Sequence, residues 1–168
     1  GDCVVLRDSN PEAVYAMSST LRIPIINAGN GIDEHPTQAM ADLYTIFKWR
    51  PSLAMEEVSP NDRIRIGIIG LPSRMRTVRS LLRILSKFPQ ILEEVVVIHA
   101  AGLELEAPLF DPGQLEELEA CGISIRCSSD LAAEIPDLDV VYINAIAWVG
   151  DSYEVHGRGF RLTRDLPF

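Results

Sequence analysis

A histidine and a glutamine stand close together where a strand-like run gives way to a predicted helix. The run covers 23–27, a Gly/Asn-rich loop follows over 28–31, and the helix pattern begins at Pro36. His35 and Gln38 would then lie on the first helical turn at a strand's carboxyl end, where open α/β sheets bind ligands. His35 could polarise a carbonyl oxygen there, and the Gln38 amide could pair with an amine. From spacing alone, a histidine that only caps the helix is the favoured reading.

Arginines gather at a second strand-to-helix crossing, after the apolar run 64–69. Arg74 and Arg76 fall where the helix pattern 76–88 begins. An arginine fork donates two parallel hydrogen bonds to a carboxylate or phosphate, so either residue could hold an anion. Further basic residues continue along the helix at i, i+4 spacing: Arg79, Arg83 and Lys87. Arg74 and Arg76 could equally belong with them to a solvated face.

Several classes of protein are excluded or disfavoured by pattern and composition. The run 67–72 is not G-x-G-x-x-G, and no phosphate-binding G-x-x-x-x-G-K-[ST] occurs, which argues against a nucleotide binder. The net charge of −9 argues against a nucleic-acid partner. No apolar run approaches the ~20 residues of a membrane span. Cys3, Cys121 and Cys127 have no metal-ligand spacing, and their odd number fits a reducing cytoplasm.

Strand-like and helix-like patterns alternate along the whole chain. In the first part, strands are predicted over 3–7 and 23–27, with helices over 10–20 and 36–49. In the second part, strands are predicted over 64–69, 95–99, 123–127 and 140–144, with helices over 76–88, 113–121 and 129–135. This alternation predicts an α/β fold with a mostly parallel sheet in Rossmann-like αβ layers.

A segment with two prolines and two serines, 50–61, is the predicted linker between two lobes, 1–49 and 62–168. The helix before the linker is expected to present one apolar face: Met40, Leu43, Tyr44 and Phe47. Beyond residue 147 the periodicity fades and no closing helix follows, and the chain opens without Met. We therefore expect a fold that is incomplete at both ends.

Three stretches together resemble the aspartate/ornithine carbamoyltransferase family. IPIINAG (23–29), HPTQ (35–38) and ADLYTI (41–46) are similar to the family pattern V-P-V-I-N-A-G-D-G, H-P-T-Q and L-L-D-L-Y-T-I. The stretch 70–80 resembles G-D-x-x-x-x-R-T-V-H-S, with Arg76, Thr77, Val78 and Ser80 matching. Ornithine carbamoyltransferases normally carry Cys where Thr37 stands, so the resemblance favours the aspartate branch. It extends from about residue 2 to about residue 144.

The resemblance implies a role for each matching residue. His35 would donate to the carbamoyl oxygen of carbamoyl phosphate, Gln38 would bind the carbamoyl amino group, and Arg76 would hold a carboxylate of the amino-acid acceptor. The reaction would transfer a carbamoyl group to the amine of aspartate in pyrimidine synthesis, with no metal or organic cofactor. Members of the family assemble as trimers with active sites between subunits, so a homo-oligomer is implied for the complete protein.

The chain also departs from the family pattern. The phosphate-binding S-x-R-T-R segment, the mobile lysine loop and the H-P-L-P-type loop are not found in it. Where the family has T-R-x-Q, whose Arg and Gln contact aspartate, Ala145 and Ala147 stand instead. Arg158 or Arg161 could replace them, or the acceptor is another amine.

These departures keep two alternatives open. One is a carbamoyltransferase with a different acceptor, and the other is a non-catalytic relative that serves as an assembly or regulatory subunit. The isolated chain of 168 residues is expected to be inactive on its own.

Overall fold

Two parallel sheets organise the chain in the computed structural model, which describes residues 1–99, 108–143 and 163–166. The first sheet has two strands, β1 (Val4–Asp8) and β2 (Ile25–Asn30). Helix α1 (Ala13–Ser18) connects them, and α2 (Pro36–Trp49) follows β2. A two-stranded sheet has little stability of its own, so its order depends on what packs around it.

The second sheet has four parallel strands in the order β5-β4-β3-β6. Its strands are β3 (Ile64–Ile69), β4 (Leu92–Ile98), β5 (Ile125–Ser128) and β6 (Val140–Ile143). The helices of this part are α3 (Arg76–Leu85), α4 (Gln114–Ala120) and α5 (Leu131–Glu134). The two central strands are almost wholly buried, as expected for a parallel sheet covered on both faces. These observations confirm the predicted parallel α/β fold.

One apolar core joins the two parts of the chain. Leu43 and Ile46 of α2 pack in the same cluster as Leu81 and Leu85 of α3 and three isoleucines of β3, Ile64, Ile66 and Ile68. Leu53, within the 3-10 turn Pro51–Ala54, is also buried in this cluster. Helix α2 is therefore anchored to the four-stranded sheet as well as to β2, which fixes the distance between the starts of α2 and α3.

Helix α2 has the predicted bounds but a different buried face. Its buried residues are Ala39, Leu43 and Ile46, whereas Met40 and Tyr44 are 60% and 64% exposed. The prediction of a face formed by Met40, Leu43, Tyr44 and Phe47 was wrong in this respect. Small Ala39 allows α3 to approach closely, so the helix turns that side inward.

Several element boundaries differ from the predictions, and two of these differences have local reasons. Strand β2 continues to Asn30, through most of the predicted loop, because Asn30 is fully buried and pairs with Asp8. Helix α1 begins at Ala13, later than Asn10, because the Asn10 side chain accepts the N–H of Glu12 and forms a turn. Within the described ranges, no helix combines the length and the apolar character needed to cross a membrane.

Candidate active site

His35 lies at the N-terminal boundary of α2, and three neighbours fix its position. Its backbone N–H donates to Ser80 Oγ at 2.9 Å. Its ring Nε2 lies 3.3 Å from Arg7 Nη1, and its Nδ1 lies 3.4 Å from Thr37 Oγ1. A guanidinium can only donate hydrogen bonds, so Nε2 accepts and the ring proton resides on Nδ1. His35 is therefore a neutral imidazole in this arrangement.

The electrostatic surroundings of His35 favour the same neutral form. Burial of the ring lowers the pKa of His35 below its usual 6.5, and the nearby cations Arg76 and Arg7 lower this pKa further. At neutral pH the imidazole is uncharged, and it can act as a hydrogen-bond partner for a carbonyl without adding a third positive charge.

Arg76 begins α3 and faces the same loop that leads into His35. Its guanidinium Nη1 donates to the carbonyl oxygen of Gly31. An open cleft of about 580 Å³ is lined by Arg7, Asp8, Ser9, Gly31, Ile32 and Arg76. Arg7 on β1 and Arg76 on α3 thus bring two cations to one cleft, beside His35. An anion with two charged ends could contact both, which is the chemistry that the sequence suggested for Arg76.

Gly31 is the residue that allows this close approach of loop and strand. Its φ is +52°, in the left-handed region, and a Cβ atom there would lie 2.7 Å from the carbonyl oxygen of Ser9. Only glycine satisfies both conditions without a backbone shift. The carbonyl of Gly31 is thereby held where Arg76 can reach it.

Gln38 lies on the first turn of α2, one turn after His35, with an exposed side chain. Its Nε2 donates to Asp42 Oδ1 at 2.9 Å. The other oxygen of Asp42 accepts a hydrogen bond of 2.8 Å from the hydroxyl of Tyr142 on β6. The two candidates His35 and Gln38 are thus neighbours on one helical turn, and Gln38 is oriented by a residue from the second sheet.

A buried carboxylate, which no motif had indicated, supports His35 through Ser80. Glu34 is 8% exposed, and one of its oxygens accepts the Ser80 hydroxyl hydrogen bond. Its other oxygen lies 2.6 Å from Nη1 of Arg83. The Ser80 hydroxyl thus donates to Glu34 while its oxygen accepts from the His35 amide, so α3 holds the start of α2.

Arg79 does not belong to a solvated face, so that prediction was wrong. Its side chain is 16% exposed and forms an ion pair of 2.5 Å with Asp111. Its terminal nitrogens also donate to three carbonyl oxygens, those of Ile32 at 3.1 Å, Asp33 at 2.6 Å and Ser73 at 2.8 Å. A polar stripe on α3 could have indicated this, since Arg76, Arg79, Ser80 and Arg83 recur at helical spacing opposite the apolar face.

The other candidate residues are less informative. Arg74 is exposed, and its side chain forms no hydrogen bond or ion pair within the described part of the chain. Arg7, by contrast, was missed because a single arginine in a strand carries no spacing signal. Within the described ranges, no group of three His, Cys, Asp or Glu side chains could hold a metal ion. Four residues that bear on the choice of acceptor lie outside the described ranges: Ala145, Ala147, Arg158 and Arg161.

A parallel α/β fold that has an arginine-lined cleft at strand ends, with a histidine beside it, suits a protein that binds small anionic metabolites. Comparison with known proteins shows which proteins of this class the chain resembles. The family model described as the carbamoyl-phosphate-binding domain of aspartate/ornithine carbamoyltransferase matches residues 1–48. The aspartate carbamoyltransferase catalytic subunit of Methanopyrus kandleri is 34% identical over 145 residues, which is 86% of this chain and 42% of that protein.

Other relatives and solved structures agree. The chloroplastic aspartate carbamoyltransferase of Arabidopsis thaliana is 33% identical over 84% of this chain and 32% of that protein. The crystal structure of aspartate transcarbamoylase from Trypanosoma cruzi with carbamoyl phosphate and aspartate matches with a TM-score of 0.62 and 32% identity, covering 84% of this chain and 42% of that one. The chain is thus similar to aspartate carbamoyltransferases over most of its own length, as its motifs predicted, and it spans between about a third and two fifths of the length of these relatives.

Proposed function

We propose that this chain forms part of a transferase that moves the carbamoyl group of carbamoyl phosphate to the amine of L-aspartate, as in pyrimidine synthesis. The observation that carries the proposal is that Arg7 and Arg76 line one cleft, and that His35 Nε2 lies beside it, 3.3 Å from Arg7 Nη1. The Trypanosoma cruzi relative has been crystallised with both of these substrates, which supports the same pair here.

Each residue would have a distinct task in this reaction. Arg7 would leave Nε2 of His35 for an oxygen of carbamoyl phosphate, which frees that nitrogen to take the ring proton and donate to the carbamoyl carbonyl. Gln38 would bind the carbamoyl amino group, and Arg76 would exchange the carbonyl of Gly31 for a carboxylate of aspartate. Both arginines are thus held ready by weak partners, and a charged ligand forms stronger bonds with them.

The chemical step would depend on positioning and electrostatics. The aspartate amine attacks the carbamoyl carbon and a C–N bond forms. The resulting tetrahedral species loses phosphate as its C–O bond breaks, and the amine releases a proton. A neutral His35 that donates to the developing oxyanion would stabilise this species. No covalent intermediate with the protein, metal or organic cofactor is needed.

The domain organisation, the assembly and the location belong to the same proposal. Residues 1–49 would complete a carbamoyl-phosphate-binding domain, residues 62–168 would belong to the aspartate-binding domain, and residues 50–61 would link them. The apposition of α2 and α3 supports a site between these two parts. We further propose a homotrimer in the cytoplasm, in line with the family resemblance and the cysteine content.

The role of Arg76 is testable with N-(phosphonacetyl)-L-aspartate, which the Trypanosoma cruzi relative binds. This compound presents a phosphonate and two carboxylates in one molecule, so it should bridge the cleft. We expect calorimetric titration to show binding to the wild-type chain that Arg76→Ala weakens by about 10- to 100-fold, the loss of one charged hydrogen-bonded pair.

Arg74→Ala is the matched control, because Arg74 is exposed in the turn just before α3. It should change the affinity by less than about twofold, since an exposed surface charge contributes little. Equal weakening by both substitutions would show a general effect of charge and contradict the assignment of Arg76. Absence of binding to the wild-type chain would contradict the proposed site as a whole.

A further inference from the structure

We propose that Asp42 and Tyr142 fix the orientation of the Gln38 side-chain amide and thereby make the site select a phosphorylated ligand that carries an N–H group. This inference rests on the proposed function, which brings a carbamoyl group to Gln38. It adds two positioning residues to the site, one of them from the second sheet. These two residues would determine how the site discriminates between chemically similar ligands.

The orientation follows from the chemistry of the contact between Gln38 and Asp42. The Gln38 Nε2 atom lies 2.9 Å from Asp42 Oδ1. An ionised carboxylate only accepts hydrogen bonds, whereas one end of the Gln amide donates and the other accepts. Turning the amide by 180° would bring Oε1 against the carboxylate and replace attraction with repulsion. Gln38 is therefore held with Oε1 turned away from Asp42, as an acceptor for a ligand N–H.

Tyr142 ensures that Asp42 itself stays in place. Its hydroxyl donates to Asp42 Oδ2 at 2.8 Å, so each of the two carboxylate oxygens has a partner. Burial, together with the proximity of Asp42, raises the pKa of Tyr142 to about 12, while a hydrogen bond with Thr77 opposes this rise. The hydroxyl is thus protonated at every physiological pH and remains a donor.

The network also couples the two halves of the site. Thr77, the neighbour of Arg76 on α3, contacts the Tyr142 hydroxyl, which contacts Asp42 and through it Gln38 on α2. Tyr142 lies on β6, 100 residues along the chain from Asp42. The orientation of Gln38 therefore requires the second sheet, although Gln38 itself lies in the first part of the chain.

The ligand test compares carbamoyl phosphate with acetyl phosphate. Both compounds contain a carbonyl and a phosphate. Carbamoyl phosphate carries an NH₂ group where acetyl phosphate carries a methyl group. We expect NMR-detected titration of the wild-type chain to show about tenfold tighter binding of carbamoyl phosphate, because the methyl group leaves Oε1 without a donor. Asp42→Asn allows either amide orientation and should reduce this preference to about twofold or less.

Two further variants separate orientation from general damage. Tyr142→Phe removes only the hydroxyl that holds Asp42. It should also lower the preference for carbamoyl phosphate over acetyl phosphate, but by less than Asp42→Asn does. Glu116→Gln, an exposed carboxylate on α4, changes the net charge by the same amount as Asp42→Asn and should leave the preference intact. Inorganic phosphate should bind all four proteins with equal affinity, because phosphate makes no use of Gln38.

A ligand-free measurement tests the orientation directly. In ¹⁵N–¹H spectra, the side-chain NH₂ group of Gln38 should give two widely separated proton signals in the wild-type chain. Asp42→Asn should bring those two signals towards the values of a solvated amide.

Unchanged Gln38 signals in Asp42→Asn, or an unchanged preference in that variant, would overturn the inference and leave the proposed function standing. Equal binding of both ligands to the wild-type chain would also overturn only the inference. Failure of both ligands to bind would overturn the inference and the proposed function together.

Discussion

Replacing Arg79 by methionine is expected to lower the free energy of unfolding by about 2–4 kcal/mol, because it leaves a carboxylate and three carbonyl oxygens without their donor. The guanidinium is 16% exposed and donates to Asp111 and to the carbonyls of Ile32, Asp33 and Ser73. Methionine keeps most of the stem volume, so the loss is one of hydrogen bonding and charge. Urea unfolding followed by circular dichroism would measure it.

Two matched variants make this expectation specific. Arg74→Met removes an exposed arginine five residues earlier and should change the free energy by less than about 0.5 kcal/mol. Arg79→Lys keeps the charge but lacks the planar fork, so it should recover only part of the loss. A loss below about 1 kcal/mol for Arg79→Met would mean that the loop 31–33 does not depend on this arginine.

Ser80→Ala is expected to lower the free energy of unfolding by about 2–3 kcal/mol, a large effect for the removal of one oxygen atom. The hydroxyl donates to the buried carboxylate of Glu34 and accepts from the amide of His35 at 2.9 Å. Without it, a buried carboxylate oxygen and a backbone N–H both lose a partner. Faster hydrogen exchange at the His35 amide should accompany the loss of stability.

Ser86→Ala provides the control for this second expectation. Ser86 follows the same helix, and among the described residues its hydroxyl donates to the backbone carbonyl of Arg83 alone. Its replacement should alter the free energy of unfolding by less than about 0.5 kcal/mol and leave the exchange of the His35 amide unchanged. Similar losses in the two variants would show that helix α3, rather than the Glu34 contact, accounts for the effect.

Helix α2 and strand β3 could be predicted from the sequence, whereas the contacts of Arg79 could not. Helix α2 was predicted to the residue because Pro36 marks its start and apolar residues recur along it. Strand β3 was equally clear, since four of its six residues are isoleucine. Both signals are local in sequence, so they predict the element without knowledge of its tertiary contacts.

The contacts that complete the site are not local. Arg79 reaches carbonyls 46 and 47 residues away, and Tyr142 reaches a carboxylate 100 residues away. No spacing rule links such pairs, because the fold alone brings them together. Arg7 was missed for the same reason, whereas His35, Gln38 and Arg76 could be singled out because they recur in a known motif.

The charge distribution also explains why the cleft suits an anion. The chain carries a net charge of −9, yet Arg7 and Arg76 share one cleft, and His35 lies beside it. Asp8 also lines that cleft, but the nearby acids Glu34 and Asp111 are already paired with Arg83 and Arg79. Because the rest of the chain is acidic, the negative groups of a substrate would be attracted to these few cations.

The central claim is that His35 forms part of a carbamoyl-phosphate site, and the imidazole signals of His35 test it most directly. Their NMR titration over pH, with and without carbamoyl phosphate, would use His35→Ala to assign them. We predict a pKa below 6.5 in the free chain, because burial and the neighbouring Arg76 and Arg7 disfavour the charged ring. Carbamoyl phosphate should shift these signals to saturation and raise the pKa, since the bound anion offsets those cations. A free pKa at or above 6.5, together with signals that carbamoyl phosphate leaves unmoved, would contradict the assignment of this cleft.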